Sequence, residues 1–331
     1  MDQPARSDIR PAGDAAGDNT LQGVALGFLA FAAFTFSDAC VKAIEGALPP
    51  YESAFFGALF AFAAMPVLMR PGDRWTDIVA TRQPALWLLR FIAYPLGVIG
   101  SVMAFTRLPM AEAFALIFLQ PAFVTLLSLF FLREAVGLRR WAAVIIGFLG
   151  VLVVLRPGLR PLEIGHLSAL VAGLGGAVVV VTFRAAGPEE KRISLFGAGI
   201  LGTVVMCGAL MIPGFRPPTL IEWAWLAGYG LLAALANVFL IHAAFRASAA
   251  AISPTQYSQM LWAILLGYLV WGDVVDLPML IGIALIVGSG LLTLVRERRR
   301  GTPLPPPVAT SRPAASVALA PQGEEDGDRS A

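Results

Sequence analysis

Between Leu21 and Val295 the chain is almost wholly apolar, so the few polar side chains inside that stretch are the candidates for chemistry. Asp38 and Lys42 stand four residues apart, which on a helix puts both on one face with the acid N-terminal to the base. Such a pair suits a zwitterionic substrate or a proton; a lysine snorkelling to the interface beside its counterion is the plainer account. Ser253, Pro254, Gln256, Tyr257, Gln259 and Trp262 make the most polar helical face in the sequence. Gln256 and Gln259 share a face that Ser253 extends. A buried amide row beside a tyrosine and an off-interface tryptophan can hold an aromatic or heterocyclic ligand by hydrogen bonds and stacking. Amides that merely join helices are the alternative. Gln120 precedes Pro121, which frees a carbonyl one turn back and kinks the helix, as suits a site at mid-depth. Tyr94 and Asn237 complete the substrate candidates. Asp38, Glu112 and His242 are the candidates for a coupling proton or ion. A carboxylate at a helix start is also explained by the dipole, and a lone histidine near a helix end is most often simply hydrogen-bonded in place. His166 reads as interfacial.

Other chemistries are missing from the sequence. It has no His-Glu-x2-His, no Gly-x-Ser-x-Gly, no clustered His or Cys, and no Gly-x4-Gly-Lys-Ser/Thr phosphate loop. The expectation is therefore no enzyme, no catalytic residues, no metal, no cofactor and no ATP drive. Cys40 and Cys207 lie in apolar runs and form no framework. Net charge is +2 without a clustered basic face, which argues against nucleic acid as a partner.

The elements that must position these residues follow from composition. Of 331 residues, 57% are hydrophobic and only 14% are charged, and mean hydropathy is +0.75. An ordinary soluble domain carries about 25% charge. A membrane span needs roughly 20 mostly apolar residues. Ten such runs can be drawn, at 21–42, 51–69, 85–105, 110–132, 141–156, 164–184, 193–212, 222–244, 249–271 and 278–296. They must be helices, because lipid-exposed backbone pairs within its own segment and these runs do not alternate as barrel strands would. The acidic, small-residue stretch 1–20 and the proline-rich tail 297–331 read as disordered, and the first span as an uncleaved one.

Lysine and arginine accumulate on the cytoplasmic side of membrane proteins. With both termini inside, ten spans place 16 bases inside and five outside, the five being Lys42, Arg107, Arg156, Arg160 and Arg216. The chain also repeats: shifting 104–134 by 139 positions aligns Arg107 with Arg246, Gln120 with Gln259 and Glu134 with Asp273. Five spans per half require the halves to be inverted. The expected fold is thus all-α and integral to the membrane, ten transmembrane helices in two inverted five-helix repeats, 21–156 and 157–296.

The stretch from Arg107 to Pro157 holds a short arginine-containing turn, a span with a central proline, an acidic residue, an Arg-Arg-Trp turn and a glycine-rich span ending in Arg-Pro. Ser253 to Asp273 looks like its second-half equivalent. This organisation resembles the EamA family of the drug/metabolite transporter superfamily, over nearly all of 21–296. The resemblance implies secondary transport of a small organic metabolite by alternating access. The stretches Thr255–Gln259 and Ser37–Lys42 look closest to members suggested to move riboflavin or S-adenosylmethionine; an amino-acid derivative also fits. The expected partners are a small-molecule substrate and the lipid bilayer, with a homodimer left open. The expected location is a bacterial inner membrane. A scaffold without transport, or a membrane enzyme, would be the competing classes.

Overall fold

Backbone groups removed from water must pair within their own segment, and helix answers that demand throughout the described chain. A computed structural model describes residues 12–44, 46–62, 74–131, 138–158, 161–186 and 190–300. Its helices are α1 (Ala12–Ala43), α2 (Pro50–Phe62), α3 (Pro84–Arg107), α4 (Met110–Ile117), α5 (Gln120–Phe131), α6 (Leu138–Leu155), α7 (Ile164–Ala186), α8 (Arg192–Met211), α9 (Leu220–Ala244), α10 (Ala249–Ile252), α11 (Ser258–Leu266) and α12 (Leu277–Arg300). Among the described residues six stretches are long and apolar enough to cross a membrane: Thr20–Ala43, Pro84–Arg107, Met110–Phe131, Ile164–Ala186, Ile193–Gly214 and Leu220–Ala244. Trp141–Leu155 and Leu277–Leu291 are shorter apolar helices. Apolar side chains such as Leu29, Leu88, Phe148, Leu167, Leu231 and Leu261 face outward, as lipid rather than water would favour.

Three expectations meet the structure differently. The second run is described only as Pro50–Phe62, because 63–73 lie outside the described residues. Residues 12–20 and 297–300, expected to be disordered, are helical: α1 begins at Ala12 and α12 runs to Arg300. The alanines of the first stretch favour helix, and once a helix has nucleated each further residue adds a bond at little cost. Residues 1–11 and 301–331 lie outside the described residues, so the expected disorder there is untouched. The fourth and ninth runs are broken rather than continuous.

Both breaks sit at proline. α4 ends at Ile117 and α5 restarts at Gln120, with the Leu119 N–H turning back to the Leu116 carbonyl at 3.1 Å. Pro121 has no N–H to offer Ile117, and that freed carbonyl lies against Gly173 of α7. In the ninth run Pro254 opens a 3₁₀ segment, Ser253–Tyr257, before α11. Residues three apart eclipse one another in such a turn. The expected Ser253–Gln256–Gln259 row therefore survives the break. The run ends in a π-turn, Gly267–Trp271, closed by Gly272 at φ 68°, a left-handed conformation that glycine adopts at little cost.

The helices pack in a definite set of pairs. The most extensive contacts are α3 with α7, α1 with α9, and α6 with α12. Glycine makes the first possible: a Cβ on Gly175 would lie 2.7 Å from the Gly97 Cα. Small residues at such crossings let backbones approach where lipid gives no hydrophobic drive for association.

Gly175→Leu should therefore force α3 and α7 apart and lower stability by about 1–3 kcal/mol, the usual range for overpacking. Gly288→Ala is the control, since nothing lies within 4 Å of a Cβ there. It should leave the thermal unfolding temperature in detergent unchanged or slightly raised.

Candidate functional site

One end of the bundle is tied by charged pairs that join distant segments. Lys42, in the last turn of α1, places Nζ 3.4 Å from Asp273 Oδ2 and donates to the Leu108 carbonyl at 2.8 Å. The Trp271 ring lies beneath the ammonium, 5.3 Å to the centroid. Only 11% of the lysine side chain and 18% of the aspartate are exposed. The π-turn that ends at Trp271 presents ring and carboxylate together. Asp273 also accepts from the Met110 N–H at 3.2 Å, where α4 begins and the helix dipole favours a negative charge. Nearby, Arg156 pairs with Asp276. Arg156 itself has φ 45°, strained for a residue with a Cβ, at the close of α6. Glu112 pairs with His166 Nε2 at 3.1 Å, and Arg216 pairs with Glu222 at 3.0 Å.

The opposite end has its own clasp. Lys191 bonds Asp77 at 2.8 Å, and the Arg82 N–H donates to Glu190 at 2.9 Å. The hydrogen bond from Lys191, then that from the Arg74 N–H, hold the Asp77 carboxyl below the usual carboxylate range. That contribution is present above the ordinary carboxylate pKa and is lost as pH falls through the depressed value.

Midway, Tyr94 of α3 and Tyr229 of α9 line a cleft with Ala54, Ala58, Val98, Ile200 and Thr203. Each ring occupies a space left by a glycine on a helix of the other half of the chain. Tyr94 covers Gly199 of α8, where a Cβ would meet the ring at 3.0 Å, and Tyr229 covers Gly57 of α2. Ser37 donates to the Tyr229 carbonyl at 2.6 Å. The cleft's cavity volume is about 10 Å³, room for about one water and far below the roughly 300–1,000 Å³ of a drug-sized site.

The remaining candidates fall into three groups. Asp38, Gln120, Asn237, Gln256, Tyr257 and Gln259 are all buried. The Gln120 amide packs on Gly176 of α7, and its Oε1 has no hydrogen-bond partner among the described residues. The Tyr257 ring stands 5.7 Å from Phe118, so the two proline-linked breaks face each other. Trp262 is half-buried, yet its Nε1 is enclosed and lacks a described partner. Asn237 donates down its own helix to the Ala233 carbonyl at 2.7 Å, leaving Oδ1 without a described partner. Buried polar atoms left so are rare and need explaining. His242, by contrast, is exposed on α9 and stands apart from this set.

Sequence reasoning missed Asp273 and Trp271 as partners of Lys42, and His166 as the partner of Glu112. A signal was available. Five bases on the sparsely charged side need counterions, and Glu112, Asp273 and Asp276 fall on that same side. Arg90 was also passed over. It is fully buried in α3, bonding the Leu195 and Val179 carbonyls at 2.9 Å each and lying over Phe183 at 4.2 Å. Among the described residues no group of three or more His, Cys, Asp or Glu is placed to hold a metal.

Long apolar helices with polar side chains turned inward define an integral membrane protein of many passes. The chain belongs to the EamA-like transporter family, whose model matches residues 21–156 and 163–295. It is 32% identical to the riboflavin transporter of Rhizobium johnstonii over 256 residues, 77% of this chain and 84% of that protein. It is 23% identical to an S-adenosylmethionine uptake transporter of Rickettsia conorii over 280 residues, covering 84% of this chain and 94% of the other. It is 28% identical to a pseudopaline exporter of Pseudomonas aeruginosa, covering 82% and 93%. These relatives are transporters of the drug/metabolite superfamily. A solved crystal structure shares the fold at a TM-score of 0.55 and 19% identity, covering 84% of this chain and 98% of the other.

The Lys42–Asp273 pair generates a test. Asp273→Asn leaves a nearly enclosed ammonium without its counterion and should cost about 1–3 kcal/mol. Lys42→Met combined with Asp273→Asn should cost less than Asp273→Asn alone, because no charge is then orphaned. Thermal unfolding in detergent reads both.

Proposed function

We propose that the chain is a secondary transporter that carries a small organic metabolite across a bacterial inner membrane by alternating access. In this reading it has ten spans in two inverted halves, 21–156 and 157–296, with both termini cytoplasmic. One observation carries the reading. Tyr94 of α3 rests on Gly199 of α8 in the second half, and Tyr229 of α9 rests on Gly57 of α2 in the first half. Exchanging the third span with the eighth and the second with the seventh turns one contact into the other. The helix pairing supports the same operation, since α3 with α7 maps onto α9 with α1, and α6 with α12 maps onto itself. The two stretches matched by the family model divide the chain at the same place.

The substrate site lies between the halves. Tyr94, Gln120, Asn237, Gln256, Tyr257, Gln259 and Trp262 supply its hydrogen bonds and stacking faces, with Asp38 and Lys42 toward the outer end. Two relatives have names that concern riboflavin and S-adenosylmethionine. Both are heterocycles that such a set of amides and rings suits. A cleft of about 10 Å³ is far too small for either, so the halves must part to admit one. Asp38 and Glu112 are the candidates for a coupling proton.

Purified protein in proteoliposomes, offered labelled riboflavin and S-adenosylmethionine in turn, tests this. Flux of one of them without chemical change is expected. Gln256→Ala with Gln259→Ala should lower initial flux at least tenfold while expression and unfolding temperature hold. Full flux in that variant would remove the site from this run of the chain.

A further inference from the structure

Arg90 sits in the second turn of α3 and is wholly buried. Its guanidinium reaches across to the second half of the chain. Nε donates to the Leu195 carbonyl of α8 at 2.9 Å. Nη1 donates to the Val179 carbonyl of α7 at 2.9 Å and to the Thr182 hydroxyl at 3.3 Å. The Phe183 ring lies under it, 4.2 Å to the centroid. Nη2 has no hydrogen-bond partner among the described residues, and no acid among them pairs with the charge. Asp77 and Glu190, the described acids at this end, face Lys191 and the Arg82 N–H instead. A charge inside a membrane span is costly and marks a functional site by default.

The architecture itself does not ask for this charge. In the exchange of halves described above, the offset that carries Tyr94 onto Tyr229 carries Arg90 onto Trp225, an uncharged residue 38% exposed on α9. The equivalent position thus serves its crossing without a cation. All three acceptors of Arg90 belong to the second half, so parting of the halves at this end strips the guanidinium of every hydrogen bond it makes. Arginine cannot shed its proton to escape that loss. A carboxylate is the best replacement: it is planar, supplies the missing charge and offers two oxygens to the arginine fork. Tyr94 follows four residues later, on the same face of α3, and lines the central cleft. The guanidinium therefore lies one turn from that cleft, toward the Lys191 end, where a carboxylate on a bound ligand can meet it.

We propose that Arg90 is an anion-binding residue of the substrate site, and that the metabolite it receives carries a carboxylate. The carboxylate takes over the guanidinium as the α7 and α8 carbonyls withdraw. Such a ligand binds the open form better than the closed one and so promotes opening of the Lys191 end. A metabolite without an anionic group leaves the arginine stranded and opens that end poorly. Binding of the carboxylate stands without transport; its consequence for flux rests on the transporter reading above.

The test uses the full chain, purified in detergent for thermal unfolding and in phosphatidylcholine vesicles for uptake, so that no net-anionic lipid competes. The probes are S-adenosylmethionine beside its decarboxylated form, the standard amino acids each beside its amide, and riboflavin, which has no carboxylate. At least one acid should raise the unfolding temperature and enter the vesicles about tenfold faster than its partner lacking the carboxylate. In Arg90→Gln that acid-to-neutral ratio should fall to about one. Arg90→Lys keeps the charge but not the fork, so its ratio should fall between the two. An arginine that only ties helices together would weaken both members of a pair alike, and an unmoved ratio in Arg90→Gln would overturn the assignment. So would the absence of acid-specific stabilisation across the panel. Riboflavin carried faster than every acid would overturn the carboxylate and leave the transport reading intact. Acid-specific stabilisation that needs Arg90, without flux of any probe, would uphold the site and defeat the transport reading, so the two fail separately.

Discussion

A lysine ammonium held at 11% exposure must find its partners inside the protein, and Lys42 finds them in segments far apart in sequence. Asp273 arrives from the end of the ninth run, the Leu108 carbonyl from the turn before α4, and Trp271 from the same π-turn as Asp273. That requirement fixes how the first helix, the broken fourth run and the broken ninth run meet. The breaks themselves follow from proline. Pro121 and Pro254 cannot continue the hydrogen-bond ladder, and the turns that replace it face one another through Phe118 and Tyr257.

The same logic distributes polarity along the bundle. Charged groups gather at its two ends, where they pair across segments. The middle holds hydroxyls and amides, which are less costly to bury than charges. Asp38 and Arg90 are fully buried charges within their helices, and the neighbours of Arg90 offer carbonyls and an aromatic face. Between the ends, glycines on α2 and α8 receive tyrosine rings from α9 and α3. A ring resting on bare backbone can slide away without unlocking interdigitated side chains, which would suit the parting of the halves proposed above.

Much of this was legible in the sequence. Apolar runs marked the helices, because lipid leaves the backbone no other solution. Gln120–Pro121 marked the first break, since the loss of an N–H is written in the residue itself. The Ser253–Gln256–Gln259 row was legible although its local geometry was not: a spacing of three aligns in an α-helix and in a 3₁₀ turn alike. The start of α1 was misplaced because acidic small residues resemble disorder when read without the helix they extend. Partners were harder to read. Nothing local to Lys42 points to Asp273, and nothing local to His166 points to Glu112; both meetings arise from how distant helices cross. His242 shows the converse, since a titratable residue within an apolar run was placed by its helix on the outer surface.

The account stands on the two ends of the bundle lying on opposite sides of the membrane. Arg216 and Lys191 mark them well, with 53% and 56% of their side chains exposed. Single cysteines at these positions, in a chain without Cys40 and Cys207, can be treated with a membrane-impermeant thiol reagent on intact cells whose outer membrane has been made permeable. The cysteine at 216 should react at once, and that at 191 only after the inner membrane is breached. Reaction of both from one side would contradict the account.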